Sequence, residues 1–212
     1  MLKETEEITA LDRIFSGKID FIFGANEPGL LPKEELAEIA FVGKSNVGKS
    51  SLINYLTNRT SLARVSHTPG RTKQINFFTV GDRFSIVDLP GYGYAKVSKA
   101  EHANWEKLIL GYLSKRKTLK LVMLLVDSRR GMKENDLQVL KLLQDLSLHY
   151  WIIYTKSDKI SVGEQEALLK SAQSLELNEF CHIIFVHNRN KDGIKILKNR
   201  FWKYINSRFF EL

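Results

Sequence analysis

The eight residues Gly43-Lys44-Ser45-Asn46-Val47-Gly48-Lys49-Ser50 constrain this 212-residue chain more than any other stretch. They fit G-x-x-x-x-G-K-[ST] without a mismatch, and the flanks matter as much as the pattern. Before them, Glu38-Ile39-Ala40-Phe41-Val42 is a short, mostly apolar run that reads as a buried strand. After them, Leu52, Ile53, Tyr55 and Leu56 have the spacing of a helix packed on a sheet. A glycine-bearing turn between strand and helix lets successive backbone N–H groups curl into a nest for phosphate oxygens, with the positive end of the helix beside it. Lys49 offers a compact cation to the β and γ phosphates, and the Ser50 hydroxyl offers a ligand to Mg²⁺. Ser51 completes the phosphate-binding set.

The remaining chain extends that unit. Segments 75–80 and 84–89 are rich in aromatic and β-branched residues, and Gly81-Asp82 between them predicts a hairpin. Helices are predicted near 49–57, 101–115, 134–146, 163–175 and 193–208, alternating with strands at 119–126, 151–154 and 182–186. Such alternation needs crossover connections. The expected fold class is α/β: a mainly parallel, doubly wound sheet with one antiparallel hairpin strand and helices on both faces. Ligands of such sheets sit beyond the carboxyl ends of the strands. Residues 1–37 read as an N-terminal extension packed on a domain spanning 38–212, with Phe21-Ile22-Phe23 offering an edge segment. Segments 58–73 and 88–99 carry Gly and Pro with little periodicity and read as loops.

Composition narrows the setting. The longest apolar runs, such as 121–126, are too short to cross a bilayer, and residues 1–8 lack the basic and apolar parts of a secretion leader. The lone Cys181 excludes an intrachain disulfide and reads as a packed core thiol in a reducing compartment. A cytoplasmic, single-domain monomer is expected. The formal charge of +8 favours an anionic partner, nucleic acid or membrane surface, without choosing between them.

Two further motifs fall at predicted strand ends. Asp88-Leu89-Pro90-Gly91 has the form D-x-x-G one hairpin after the phosphate loop. Asp88 is placed to hold Mg²⁺ through water, and the Gly91 amide to sense the γ-phosphate. Thr72, or its neighbour Thr68, is the candidate for a second direct Mg²⁺ ligand, with Gly70 and Arg71 beside it. Thr155-Lys156-Ser157-Asp158 fits [NT]-K-x-D after a buried strand. The Asp158 carboxylate can accept both the N1–H and the exocyclic amine of guanine, a donor pair that adenine lacks. Lys156 can lay its aliphatic stem along the base.

The combination resembles the EngB family (also called YihA or YsxC), GTPases of ribosome assembly. The resemblance spans roughly residues 20–208 and rests on the runs 39–54, Thr68-Pro-Gly-Arg-Thr through Phe78, and Asp88-Leu-Pro-Gly-Tyr-Gly-Tyr-Ala95. It implies a Ras-like P-loop fold, GTP and GDP binding with Mg²⁺, slow hydrolysis, and association with the maturing large ribosomal subunit and its rRNA. The last nucleotide loop departs from the family's Phe-Ser-Ser or Phe-Ser-Ala: Phe185-Val186 leads into His187-Asn188, so backbone amides or Asn188 would meet the guanine carbonyl. Tyr92 stands where Ras-like GTPases carry the glutamine that orients water, so Lys49, Thr72 and Gly91 remain as transition-state and switch contacts. Asn46 matches an asparagine that coordinates K⁺ in related families, or simply shapes the loop. Cations at Arg64, His67, Arg71, Lys73, Lys96, Lys99, 115–117, Lys120, Lys195, Lys198, Arg200 and Lys203 offer a surface to an RNA backbone. The competing functions are a membrane- or RNA-modification-associated GTPase with the same switches, and a structural module with a dead site.

Overall fold

The computed structural model describes residues 12–59, 62–63, 74–93, 99–179, 181–187 and 192–208. Seven strands form one sheet in the order β1-β3-β4-β2-β5-β6-β7. They are β1 Ile19–Ala25, β2 Ala37–Gly43, β3 Ile75–Val80, β4 Phe84–Asp88, β5 Leu119–Asp127, β6 Tyr150–Thr155 and β7 Ile183–Phe185. The helices are α1 Lys49–Leu56, α2 Lys99–Lys115, α3 Glu134–Asp145, α4 Val162–Gln173 and α5 Asp192–Arg208. All lie within two residues of the expected bounds where the sequence predicted them.

β4, β2, β5, β6 and β7 pair in parallel, while β3 is antiparallel to both β4 and β1. Only β3 therefore runs against the rest. The turn before β4 holds three residues rather than two: Val80 pairs with Phe84, Arg83 N–H donates to the Val80 carbonyl, and Gly81 has φ +56°. Arg83, which lies between the two predicted strands, closes the turn together with Gly81 and Asp82.

Alternate residues of the central strand feed opposite faces, as a sheet covered on both sides requires. Ile39 and Phe41 of β2 pack with Leu52, Ile53 and Leu56 of α1 and with Ile194, Leu197, Phe201 and Ile205 of α5. Ala40 and Val42 face the other layer, with Leu108, Ile109 and Tyr112 of α2 and Val139, Leu140 and Leu143 of α3. Cys181 packs against that second layer, and burial pushes its thiol up to about 12.

β1 covers the free side of β3 with one irregularity. Phe21 pairs with Phe78 and Phe23 with the adjacent Phe77, so Ile22 is an extra, bulged residue. Phe21, Ile22 and Phe23 stay substantially exposed. Below the sheet, Glu38 is buried and receives Arg116 Nε at 2.8 and 3.0 Å, Tyr112 Oη at 2.9 Å and Thr118 Oγ1 at 3.0 Å. Arg116 also donates to the Pro32 and Lys33 carbonyls at 2.6 and 3.3 Å and stands over the Phe77 ring. The 115–117 cluster is thus not uniformly a surface: Arg116 is buried and satisfied. Lys198, expected on the basic face of α5, is likewise buried and reaches Asp12 at 2.5 Å. Among the described residues, no helix is long and apolar enough to cross a membrane.

Candidate functional site

The carboxyl ends of the parallel strands carry the motifs side by side. Phe41 of β2 pairs with Asp88 of β4, Gly43 with Leu125 of β5, and Asp127 with Thr155 of β6. Beyond β2 the chain turns through Lys44 and Val47, whose N–H donates to the Lys44 carbonyl at 3.0 Å. Gly48 then caps α1 with φ +108°, a backbone conformation costly for any residue with a Cβ. Asn46 has φ +63°, which asparagine tolerates better than most side chains. Its side chain thus has a local reason to be there, independent of any cation.

Lys49, on the first turn of α1, forms a short ion pair with the Asp88 carboxylate, which is only 5% exposed. Two motifs 39 residues apart in sequence meet there. Ser50 and Ser51 follow on the same turn of α1. Leu89 is fully buried, and its N–H donates to the Phe41 carbonyl, so it anchors the D-x-x-G segment. The Pro90 carbonyl accepts Trp105 Nε1 of α2 at 3.0 Å. Gly91 lies against the Gly43 carbonyl and Ser45 of the phosphate loop.

Tyr92 is not turned toward a reaction centre. It is 5% exposed, its ring packs edge-on against Trp105, and its hydroxyl donates to Asp136 of α3 at 2.5 Å. Burial and the adjoining Asp136 charge push its phenol far above its usual range, so it remains a proton donor. The second Asp136 oxygen accepts the Lys133 N–H at 2.9 Å at the start of α3. Tyr92 is also held by its backbone, with Ser45 N–H donating to its carbonyl at 3.1 Å. The residue at the glutamine position therefore ties the D-x-x-G segment to the phosphate loop and to α3. Sequence reasoning missed Asp136 and Trp105, for which spacing carries no sign.

The base motif, residues 155–158, is fastened to the phosphate loop. Thr155 Oγ1 donates to the Val47 carbonyl at 2.6 Å, and Lys156 Nζ donates to the Asn46 carbonyl at 2.7 Å. Lys156 takes φ +57° and also pairs with Asp127, which a forked contact from Arg129 holds on its other side. Burial alone would raise the Asp127 carboxyl, but the hydrogen bonds from Arg129 and Lys156 hold it well below the usual carboxylate range. Asp127 is a third residue that the sequence reading passed over.

Ser157 is buried, and its N–H donates to the Val186 carbonyl at 3.2 Å. The Asp158 side chain is 17% exposed and pairs with Lys159 at 3.2 Å. Partial burial would raise its carboxyl, yet the Lys159 hydrogen bond and charge, with His187 nearby, keep it lowered. Val186 departs from its expected part: its N–H is committed to the Tyr154 carbonyl at 2.8 Å, so it shapes the loop and has no free donor for a base. Gly70, Arg71, Thr72 and Asn188, with Thr68, Arg64, His67, Lys73 and Lys96, lie outside the described residues.

Comparison with known proteins bears on this arrangement. Residues 38–156 match a family model described as 50S ribosome-binding GTPase. A protein of Rickettsia prowazekii described as a probable GTP-binding protein EngB is 49% identical over 191 residues, covering 89% of this chain and 88% of that one. A Rickettsia bellii protein with the same description is 49% identical, covering 92% of each. A crystal structure of a probable GTP-binding protein engB superposes with a TM-score of 0.65 at 28% identity, covering 81% of this chain and all of that one. Era in complex with MgGDPNP and nucleotides 1506–1542 of 16S ribosomal RNA shares the fold, at TM-score 0.60 and 19% identity over 81% of this chain and 57% of Era.

Proposed function

We propose that this chain, which belongs to the EngB family of GTP-binding proteins, is a nucleotide-gated assembly factor for the large ribosomal subunit. It is a GTPase with the fold of that family. The observation carrying the mechanistic reading is the Lys49–Asp88 pair, which sets a cation and a carboxylate side by side at the mouth of the phosphate loop. On this reading Lys49 neutralises the β and γ phosphates, and loop N–H groups from Gly43 through Ser51 surround them. Ser50 and Asp88 supply the hard oxygen ligands that Mg²⁺ takes alongside phosphate oxygens and waters, Asp88 acting through water. Thr72 is the further ligand, with Gly70 and Arg71 next to it. When bound, Mg²⁺ spreads charge away from the transferring phosphoryl group. K⁺ at Asn46 is a subordinate part of the proposal.

Guanine recognition falls to Asp158, with Thr155, Lys156 and Ser157 holding the loop and His187 or Asn188 facing the base carbonyl. Asp158→Asn should weaken GTP binding by about tenfold or more and shift preference to xanthosine triphosphate, which presents a carbonyl where guanine has an amine. Titration of both nucleotides against both proteins checks this, and an unchanged GTP preference removes Asp158 from the pocket.

Tyr92 acts through packing. Tyr92→Phe should leave GTP turnover within about threefold of wild type, because a residue acting on the attacking water would contribute about 10²–10⁴-fold. It should cost about 1–3 kcal/mol of stability by leaving buried Asp136 without that donor. Single-turnover hydrolysis beside a denaturant melt separates the two. A large loss of turnover with no loss of stability would return the phenol to the reaction.

The ribosomal part is supported by the description of the matching family and by the basic composition. Era, a neighbour in fold, was crystallised with ribosomal RNA. Its test is sedimentation with large-subunit particles in the presence of a non-hydrolysable GTP analogue or GDP. Stronger binding with the analogue supports the reading, and equal absence from particles in both states sinks it.

A further inference from the structure

Beside the phosphate loop, on its α3 side, lies a recess of about 30 Å³ that shares Lys44 and Val47 with that loop and adds Arg130 and Lys133, which the nucleotide reading does not use. Lys44, Arg130 and Lys133 line it, together with Val47, Asp127 and Asp136. Among the described residues none of the three cations has an ion-pair partner, in contrast to Arg129 and Lys156, which both pair with Asp127. The two carboxylates do not compensate them. Asp127 is occupied by Arg129 and Lys156, and Asp136 by the Tyr92 hydroxyl and the Lys133 N–H. The recess thus carries uncancelled positive charge, and its one apolar lining residue, Val47, is itself buried.

We infer that this recess is a docking point for the phosphate backbone of RNA. Its volume has room for an anionic oxygen with a water, and none for an inserted aromatic or aliphatic side chain. A protein partner would want such an apolar anchor at its centre. A polyanion needs only cations at reachable spacing, and the Arg130 guanidinium can fork onto a phosphate. One wall of the recess also meets the chain just past the D-x-x-G segment: a Cβ on Gly93 would stand 3.0 Å from Lys44 Cε, so the Lys44 stem lies over that glycine. Tyr92 meanwhile holds the Asp136 side wall. Movement of Gly91 with the γ-phosphate would therefore reshape the recess, and the RNA contact would follow the bound nucleotide.

This inference rests on the RNA-associated reading above, and the experiment separates the two. A fluorescently labelled RNA hairpin is titrated with the protein bound to a GTP analogue or to GDP, between about 50 and 200 mM salt. Arg130→Ala/Lys133→Ala should lose about tenfold or more in RNA affinity and flatten the log–log salt slope by about 1–2, since each phosphate neutralised contributes about 0.7–0.9. Arg130→Lys/Lys133→Arg should retain most of the binding. GDP affinity of the double alanine variant, unchanged within about twofold, shows that the domain is folded. Wild-type RNA affinity and slope in that variant would overturn the recess and leave the RNA reading standing. A wild-type protein that binds no RNA in either nucleotide state would overturn both. Unchanged RNA binding with lost binding to a polyglutamate peptide would place an acidic protein there instead, and the inference would fall.

Discussion

Replacing Lys49 with alanine is expected to lower GTP affinity by about a hundredfold, ~2.7 kcal/mol, and to destabilise the nucleotide-free protein as well. The first effect follows from losing the only cation that α1 sends into the phosphate nest. The second follows from the fold. Asp88 is 5% exposed and Lys49 is its ion-pair partner, so the variant leaves a buried carboxylate uncompensated. Sequence alone suggests a lysine that serves only the ligand, and hence an undisturbed fold. The measurement is isothermal titration with GTP beside a urea melt of the nucleotide-free protein. GTP affinity within about tenfold of wild type would remove Lys49 from the phosphates. An unchanged melt would show that solvent reaches Asp88 and makes the pair dispensable.

Arg116→Ala should cost about 3–5 kcal/mol of folding stability, enough to leave a domain of ordinary stability marginal. Arg116 and Glu38 have side chains 5% and 3% exposed, and the guanidinium also satisfies the Pro32 and Lys33 carbonyls. Removal strands the Glu38 carboxylate at the start of the strand that leads into the phosphate loop. The companion variant Arg116→Met/Glu38→Leu should recover part of the loss, because no unpaired charge remains buried. Both are read from denaturant midpoints at constant m-value. A single variant within about 1 kcal/mol of wild type would mean that the pair behaves as if solvent-exposed.

What was legible in the chain was what lies close together in it. Strand, turn and helix from Glu38 to Leu56 write their periods and glycines into adjacent positions, and β5, β6 and α5 do so almost as openly. The motifs at strand ends were visible for the same reason. Side chains that find partners far along the chain were not. Arg116 reads as one of three surface cations until Glu38, 78 residues away, is seen beside it. Tyr92 reads as a defective catalytic position until Asp136, 44 residues on, receives its hydroxyl. Val186 looked available to a base because nothing local says that its N–H completes a ladder with β6. The Thr155 hydroxyl was read as part of a base motif, yet its contact is with the phosphate loop 108 residues earlier.

The extra residue in β1 has a consequence for how copies of this protein behave in a crowded cell. An edge strand presents unpaired N–H and C=O groups to any other extended chain, and Phe21, Ile22 and Phe23 make this edge greasy as well. The bulge at Ile22 breaks the even spacing of those groups midway along the strand. At the strand's start, the Lys18–Asp20 ion pair adds charge that an incoming apolar strand would have to bury. A second chain that begins to zip along the edge loses register after a few residues, and so the edge is kept from seeding fibrils or open-ended stacks.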